Sequence, residues 1–236
     1  MIDDDDYINF FFIKKNSFLI TSFLKLNFSC VYKNEIIFNT FQDNLLKNDF
    51  KKFLDFNIYK IEKLNNQFVK NINLVIFDKI FLSVEASIKK NISGNFFFEK
   101  ERLNLLSKIK NEIEFNYKEF SIIHLLLKNT LINGRNLDLT KKESLINCNY
   151  FSIETEFILF PLQSIFEYQK KFDEYQISIN KIISGEYLKN LSMLEHLDET
   201  EMALKIFLGN NLNEVTLLSK KVQNRGLFEK FFHLFN

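Results

Sequence analysis

The sequence has one proline, five glycines and no tryptophan. So little Pro and Gly excludes collagen-like and low-complexity classes and leaves no Pro/Gly/Ser-rich linker between domains. Scarce glycine also restricts chemistry. A backbone approaches a phosphate closely only where no Cβ intervenes, and residues 10–32 contain no Gly. The two cysteines, Cys30 and Cys148, match no metal or redox spacing and read as small apolar residues in a reducing compartment. Neither charge is in excess: 31 basic and 30 acidic residues give a net charge of +1. A nucleic-acid binder carries a basic excess, so no nucleic-acid partner is expected. The opening "MIDDDDY" is acidic where a signal peptide is basic, which predicts a solvated charge run and no signal peptide. No uncharged apolar run reaches the ~18 residues that a membrane-crossing helix needs. His-x-x-x-His, Cys-x-x-Cys, Gly-x-Ser-x-Gly and Gly-x-x-x-x-Gly-Lys-Ser/Thr are all missing. No catalytic residue, metal ligand or cofactor site is therefore assigned, and the chain is expected not to be an enzyme.

What is present is a globular chain of 236 residues, 46% hydrophobic and 26% charged, enough for one large domain or two small ones. Phenylalanine is abundant, with 29 copies, alongside much Ile, Asn and Lys, the composition that AT-rich coding produces. Short apolar runs over the first forty residues predict strands. Phe50, Phe53, Leu54, Ile58, Ile61, Leu64 and Phe68 recur at helical spacing. "NLVIFDKIFLSVEAS" and "ISGNFFFEK" predict strands, and Leu103, Leu106, Ile109 and Ile113 a helix. "FSIIHLLLKNTLING" predicts a strand ending at the turn dipeptide Asn133-Gly134. "YFSIETEFILF" alternates, Pro161 opens a helix, "YQISINKII" is a strand, and a helix follows near 185–196. "MALKIFLGNNLNEVTLL" predicts two strands about a Gly209-Asn210-Asn211 turn. The runs of three Phe at 10–12 and 96–98 predict strand cores, or pairing edges if exposed. Of the histidines, His124 lies in an apolar strand and reads as a buried or edge residue with a backbone partner. His196, among Glu195, Asp198, Glu199 and Glu201, reads as a solvated helix end.

"INLVIFDKIFLSVEASIKKNISGNFFF", "FSIIHLLLKNTLINGR" and "FSIETEFILF", followed by "YQISINKIISGEYLKNLSMLEHLDETEMAL", together resemble the FtsA family of actin-like cell-division proteins. Ser93-Gly94 fall on the family's Ser-Gly, His124 on its His and Asn133-Gly134 on its Asp-Gly. The resemblance covers roughly 58–218 plus the tail. It implies an α+β fold: a reduced actin-like (ribonuclease H-like) body with an inserted SHS2-like subdomain and a C-terminal amphipathic helix. The implied divisions are 1–72, actin-like strands and helix; 73–150, the SHS2-like subdomain; 151–218, the rest of the actin-like body; and 219–236, the membrane-binding helix. The implied role is a non-catalytic division adaptor, peripheral to the cytoplasmic face of the inner membrane. It would contact FtsZ or later divisome proteins and the lipid surface, with self-association as a further option. A pilus-assembly or secretion scaffold of the same superfamily is the alternative, and a drifted ATP-binding protein a third. Departures from the family argue against nucleotide. Its second phosphate loop, "DIGGGTTD", falls on "FLGNNLNE". Phe207 replaces the first Asp, Gly209 is kept, Asn210 and Asn211 replace two glycines, and Glu214 takes the last acidic position. Phe207 cannot hold a cation beside a phosphate. The family's second nucleotide-gripping half has no counterpart after this loop.

The tail ends "RGLFEKFFHLFN". At 100° per residue, Leu227, Phe228, Phe231, Phe232, Leu234 and Phe235 share one side, with Glu229, Lys230 and His233 on the other. That pattern suits a helix lying in a membrane interface, where Lys230 and the upstream Lys220, Lys221 and Arg225 each add about 1 kcal/mol near anionic lipid. The same pattern also suits a last helix packed on the protein's own core. Deleting Leu227–Asn236 separates the two: loss of sedimentation with anionic liposomes at an unchanged thermal midpoint is expected. A large fall in the midpoint would place the tail in the core.

Overall fold

In the computed structural model the structure describes residues 6–38, 43–137, 145–211 and 213–216. The expected α+β class holds, with two sheets and five helices among these residues. The first sheet has the order β3-β2-β1-β4-β9. Its strands are β1 (Tyr7–Ile13), β2 (Ser17–Leu24), β3 (Cys30–Ile37), β4 (Asn71–Ile76) and β9 (Ser178–Ser184). β3, β2 and β1 form an antiparallel meander, and β4 and β9 continue it in parallel with β1. The second sheet has the order β5-β8-β6-β7 and is antiparallel throughout. It contains β5 (Leu82–Phe97), β6 (Phe120–Ile132), β7 (Arg135–Asn136) and β8 (Leu145–Pro161).

β1 explains the layering. Its three consecutive phenylalanines, Phe10, Phe11 and Phe12, are fully buried. Successive side chains on a strand point to opposite faces, so a continuous apolar run requires cover on both. Phe11 faces a core built with α1 (Asp43–Asn65) and Phe172 of α3 (Leu162–Asp173). Phe10 and Phe12 face a core built with α4 (Gly185–Glu195) and α5 (Glu199–Phe207). Phe50, Phe53, Leu54, Ile58 and Ile61 of α1 are buried as the helical spacing predicts, whereas Leu64 and Phe68 are exposed. The second sheet is covered on one face by α2 (Phe98–Asn116), through Leu105, Leu106, Ile109 and Ile113. At Asn133-Gly134 both φ angles are positive, as a two-residue hairpin turn demands, and β7 pairs back on β6.

Four readings change. "NLVIFDKIFLSVEAS" is two strands, not one: β4 joins the first sheet, and after residues 77–81 β5 joins the second. The second sheet therefore spans Leu82 to Pro161, so the divisions at 73 and 150 cut through β4 and β8. The segment from Met202 is helical, not a strand. Asp198 caps α5 by accepting from the Thr200 N–H, and Met202 and Ile206 share the buried face. A short apolar run such as "MALKIF" carries no periodicity that separates helix from strand. Of the second Phe run, Phe98 opens α2 and is buried rather than ending a strand. Phe11 touches Phe18, Phe50, Phe53 and Phe172 with ring centroids 5.3–5.9 Å apart. Phe11→Ala is expected to cost about 3–5 kcal/mol, read as a lower urea midpoint.

Candidate functional site

The carboxyl ends of the parallel strands β1 and β4 open into a cavity of about 1170 Å³. In open α/β sheets this is where ligands bind, because the connections leaving adjacent strands diverge there. Lys14 and Lys15 of the β1–β2 turn form one wall, and Phe77, Asp78 and Lys79 after β4 a second. Lys51 of α1, Tyr168 and Lys171 of α3, and Glu186, Lys189 and Asn190 of α4 complete the ring with Glu174 and Tyr175. Six lysines thus stand against three carboxylates over an aromatic floor of Phe18, Phe50, Phe77, Tyr168 and Tyr175.

Some of that charge is engaged. Lys51 pairs with Glu174 at 3.1 Å, and Lys14 with Glu199 at 2.7 Å. The Lys171 ammonium lies 5.1 Å from the centre of the Phe50 ring and 5.0 Å from that of Tyr168. Among the described residues Lys15, Lys79 and Lys189 have no ion pair. Burial, then the charges of Asp78 and Glu167, push the Tyr168 phenol up to about 12, so it is a neutral donor at any physiological pH. Burial and its hydrogen bond to Asp55 push Tyr175 up as well. The lining is suited to holding an anionic group with an apolar body. Among the described residues the lining includes no His, Cys or Ser.

Gly185, at the amino end of α4, supports this wall in an unexpected way. A Cβ there would lie 2.4 Å from Phe77 Cγ, closer than any side-chain carbon can approach. Glycine at this helix end thus admits an aromatic side chain rather than a phosphate.

None of the residues of the altered phosphate loop lines the cavity. Phe207 ends α5 and packs edge-to-face on Phe10, with ring centroids 5.9 Å apart. Gly209 has φ +72° and terminates the helix: its N–H donates to Ile206 O, and that of Asn210 to Lys205 O. That pair of bonds is a Schellman motif, for which Gly is preferred because it adopts the left-handed conformation without strain. Asn211 donates through its amide to the Tyr187 hydroxyl. Glu214 leaves the loop altogether and binds His124. The tail residues Leu227, Phe228, Lys230, Phe231, Phe232, Leu234 and Phe235 lie outside the described residues.

His124 forms the junction of the two sheets. Its ring is fully buried on β6. Nε2 accepts from the backbone N–H of Ser184, the cap of α4, at 3.1 Å. This leaves the proton on Nδ1, which donates to Glu214 Oε1 at 2.9 Å. The backbone partner is the one the sequence predicts; the carboxylate, ninety residues away, has no local signal. Lys181 lies 3.7 Å from the same Glu214 oxygen, and the Tyr187 ring stacks 4.6 Å from His124. Burial pulls the His124 pKa below its ordinary value, and Glu214 only partly offsets this. Burial alone would raise Glu214, but the bond from His124 and the Lys181 charge hold it low. The segment around Glu214 also lies against β6. Glu214 bridges to Leu126, the Leu127 N–H donates to Asn213 O, and the Val215 N–H to Leu125 O.

The sequence matches no family model and no curated protein. Among solved structures it is similar to the cytoplasmic domain of EpsL, an inner membrane component of the type II secretion system of Vibrio cholerae. There the identity is 6% and the TM-score 0.36, over 75% of this chain and 57% of that one. It is also similar to a PilM–PilN type IV pilus biogenesis complex, at 6% identity and TM-score 0.38, over 77% and 48%. A third match is a Bacteroides thetaiotaomicron protein with an actin-like ATPase fold and unknown function, at 14% identity and TM-score 0.32, over 82% and 59%. The chain thus spans only 48–59% of the length of these three. No FtsA-family protein is among them. At such TM-scores the likeness decides neither fold nor function.

A protein whose buried histidine is neutral resists its protonation. Folded-state pKa below the unfolded value means full stability above pH ~6.5, lost as pH falls. Urea unfolding of the native chain between pH 7.5 and 5.5 is expected to show this loss, with a slope of at most about 1.4 kcal/mol per pH unit. In His124→Asn the slope should flatten over that window, whatever the absolute stability.

Proposed function

We propose that the chain is a non-catalytic adaptor: a reduced actin-like (ribonuclease H-like) body carrying an SHS2-like sheet, which recruits protein partners to a membrane-associated assembly. One observation carries this reading. The strand–helix–strand–strand unit β5, α2, β6, β8 is inserted as a single run between β4 and α3 of a sheet ordered β3-β2-β1-β4-β9. The strand order and the point of insertion both suit the actin-like arrangement that the sequence resembles. An inserted sheet with its own covering helix offers a docking module that leaves the first sheet undisturbed.

The altered phosphate positions favour recognition over turnover. The β1–β2 turn is Lys14-Lys15-Asn16, Gly209 serves to end a helix, and Phe207 packs on the core. The amphipathic segment 219–236 is the proposed lipid contact, which would make the chain peripheral to the cytoplasmic face of the inner membrane. Two weak contacts, one to lipid and one to protein, raise local concentration by avidity. A division adaptor and a pilus or secretion scaffold share these mechanics and differ in the partner.

A second reading, a drifted nucleotide-binding protein, is favoured by the cavity, whose lysines flank the β1–β2 turn. Two measurements decide. Crosslinking in cells followed by co-purification is expected to recover division proteins or, for the alternative, pilus or secretion components. Equilibrium titration with labelled ATP and Mg²⁺ is expected to show no saturable binding. Micromolar ATP affinity that is lost in Lys79→Glu and Lys189→Glu would overturn the adaptor reading.

A further inference from the structure

β5 is the margin of the second sheet. Among the described residues no strand pairs with its outer side. The opposite margin is covered, by β7 on Leu131 and Ile132 and by residues 213–215 against Leu125–Leu127. From Leu82 to Asn91 β5 runs in unbroken register along β8; the irregularity comes only between Asn91 and Gly94. That stretch contains no proline and no bulge; of the devices that keep an edge from pairing it has only charge, in Glu85, Lys89 and Lys90. Its side chains alternate. Ser83, Glu85, Ser87 and Lys89 are exposed, while Leu82, Val84, Ala86 and Ile88 are half-buried at the rim of the core under α2. A further strand along β5 would finish covering that apolar row.

We propose that β5 pairs antiparallel with β5 of a second copy, about a two-fold axis through Ser87, to make one continuous eight-stranded sheet. The pattern of the strand selects both occupant and register. An axis at Ser87 sets Glu85 of each copy against Lys89 of the other, and Ala86 of each against Ile88. Ser83 meets Asn91. An axis at Glu85 or Lys89 would oppose like charges, and one at Ala86 or Ile88 would leave both charges without a partner. An axis between residues would bring the polar row against the apolar one, because directly opposed residues share a face.

The chain itself leaves Glu85 in need of a cation. Its neighbour across β8 is Glu156, a like charge already taken up by Lys128 and Ser83. Among the described residues Glu85 has no ion pair. Lys89 rests on the Tyr150 ring, 3.7 Å from its centre, with no carboxylate of its own. Two such half-made pairs, placed symmetrically about one residue on an open edge, are self-complementary.

Sedimentation velocity and native mass spectrometry of the full chain test this. A concentration-dependent dimer is expected. Glu85→Lys and Lys89→Glu should each weaken it about ten-fold or more, since each sets like charges opposite one another twice. The double swap Glu85→Lys with Lys89→Glu should restore it. Mixing the two single variants should give the heterodimer alone, a result that misfolding cannot mimic. In a Cys30→Ser background, Ser87→Cys should form a disulfide-linked dimer on mild oxidation, with the far-UV spectrum unchanged. A chain that stays monomeric up to its solubility limit would overturn the proposal. So would a dimer that is indifferent to both charge reversals, which would place the contact elsewhere.

Discussion

Three adjacent phenylalanines on β1 fix the layers of the first sheet. Phe11 turns to one face and Phe10 and Phe12 to the other, and all three are fully buried. Burying such a side chain is worth about 1.5–3 kcal/mol, and that gain requires cover on both faces at once. Helices α1 and α3 supply it on one side, α4 and α5 on the other. The second sheet is then free to project from the connection between β4 and α3, and the cavity forms where β1 and β4 end between these layers.

The two sheets are joined by a polar contact inside an apolar surround. His124 reaches from β6 to the backbone of Ser184, the residue that also caps α4, while Glu214 holds the other ring nitrogen. Breaking such a group out of its partners costs more than forming it gains, because each buried partner left behind loses its solvation. The junction therefore ties β6 to the end of β9 through Nε2 and to residue 214 through Nδ1. The same residue brings 213–215 onto the edge of β6, so this segment and the sheet junction share a fastening.

Much of this was legible in the sequence. The strands of the first sheet, α1, α2 and the Asn133-Gly134 hairpin all carry local signals in their periodicity or turn residues. The errors came where local signals conflict. "NLVIFDKIFLSVEAS" alternates and clusters in the same stretch, and nothing local tells that its halves serve different sheets. "MALKIF" is too short for periodicity, and the Asp198 cap that decides for a helix lies upstream of it. The candidate site was less legible still. The cavity takes its lysines from the β1–β2 turn and from α1, α3, α4 and the segment after β4, which only the sheet order brings together. Glu214 was singled out as the remnant of a phosphate loop; its tie to His124 depends on a contact across ninety residues, beyond the reach of spacing arguments.

The bridge that residues 213–215 make on β6 has a consequence for growth. A sheet open at both margins can add subunits without limit and become a fibre, whereas one blunted at a single margin stops after one addition. Because Asn213, Glu214 and Val215 lie against Leu125–Leu127 of β6, and β7 against Leu131 and Ile132, β5 is the longest unpaired margin of the second sheet among the described residues. The segment whose carboxylate secures the histidine thereby also blunts part of the β6 margin against edge-to-edge addition.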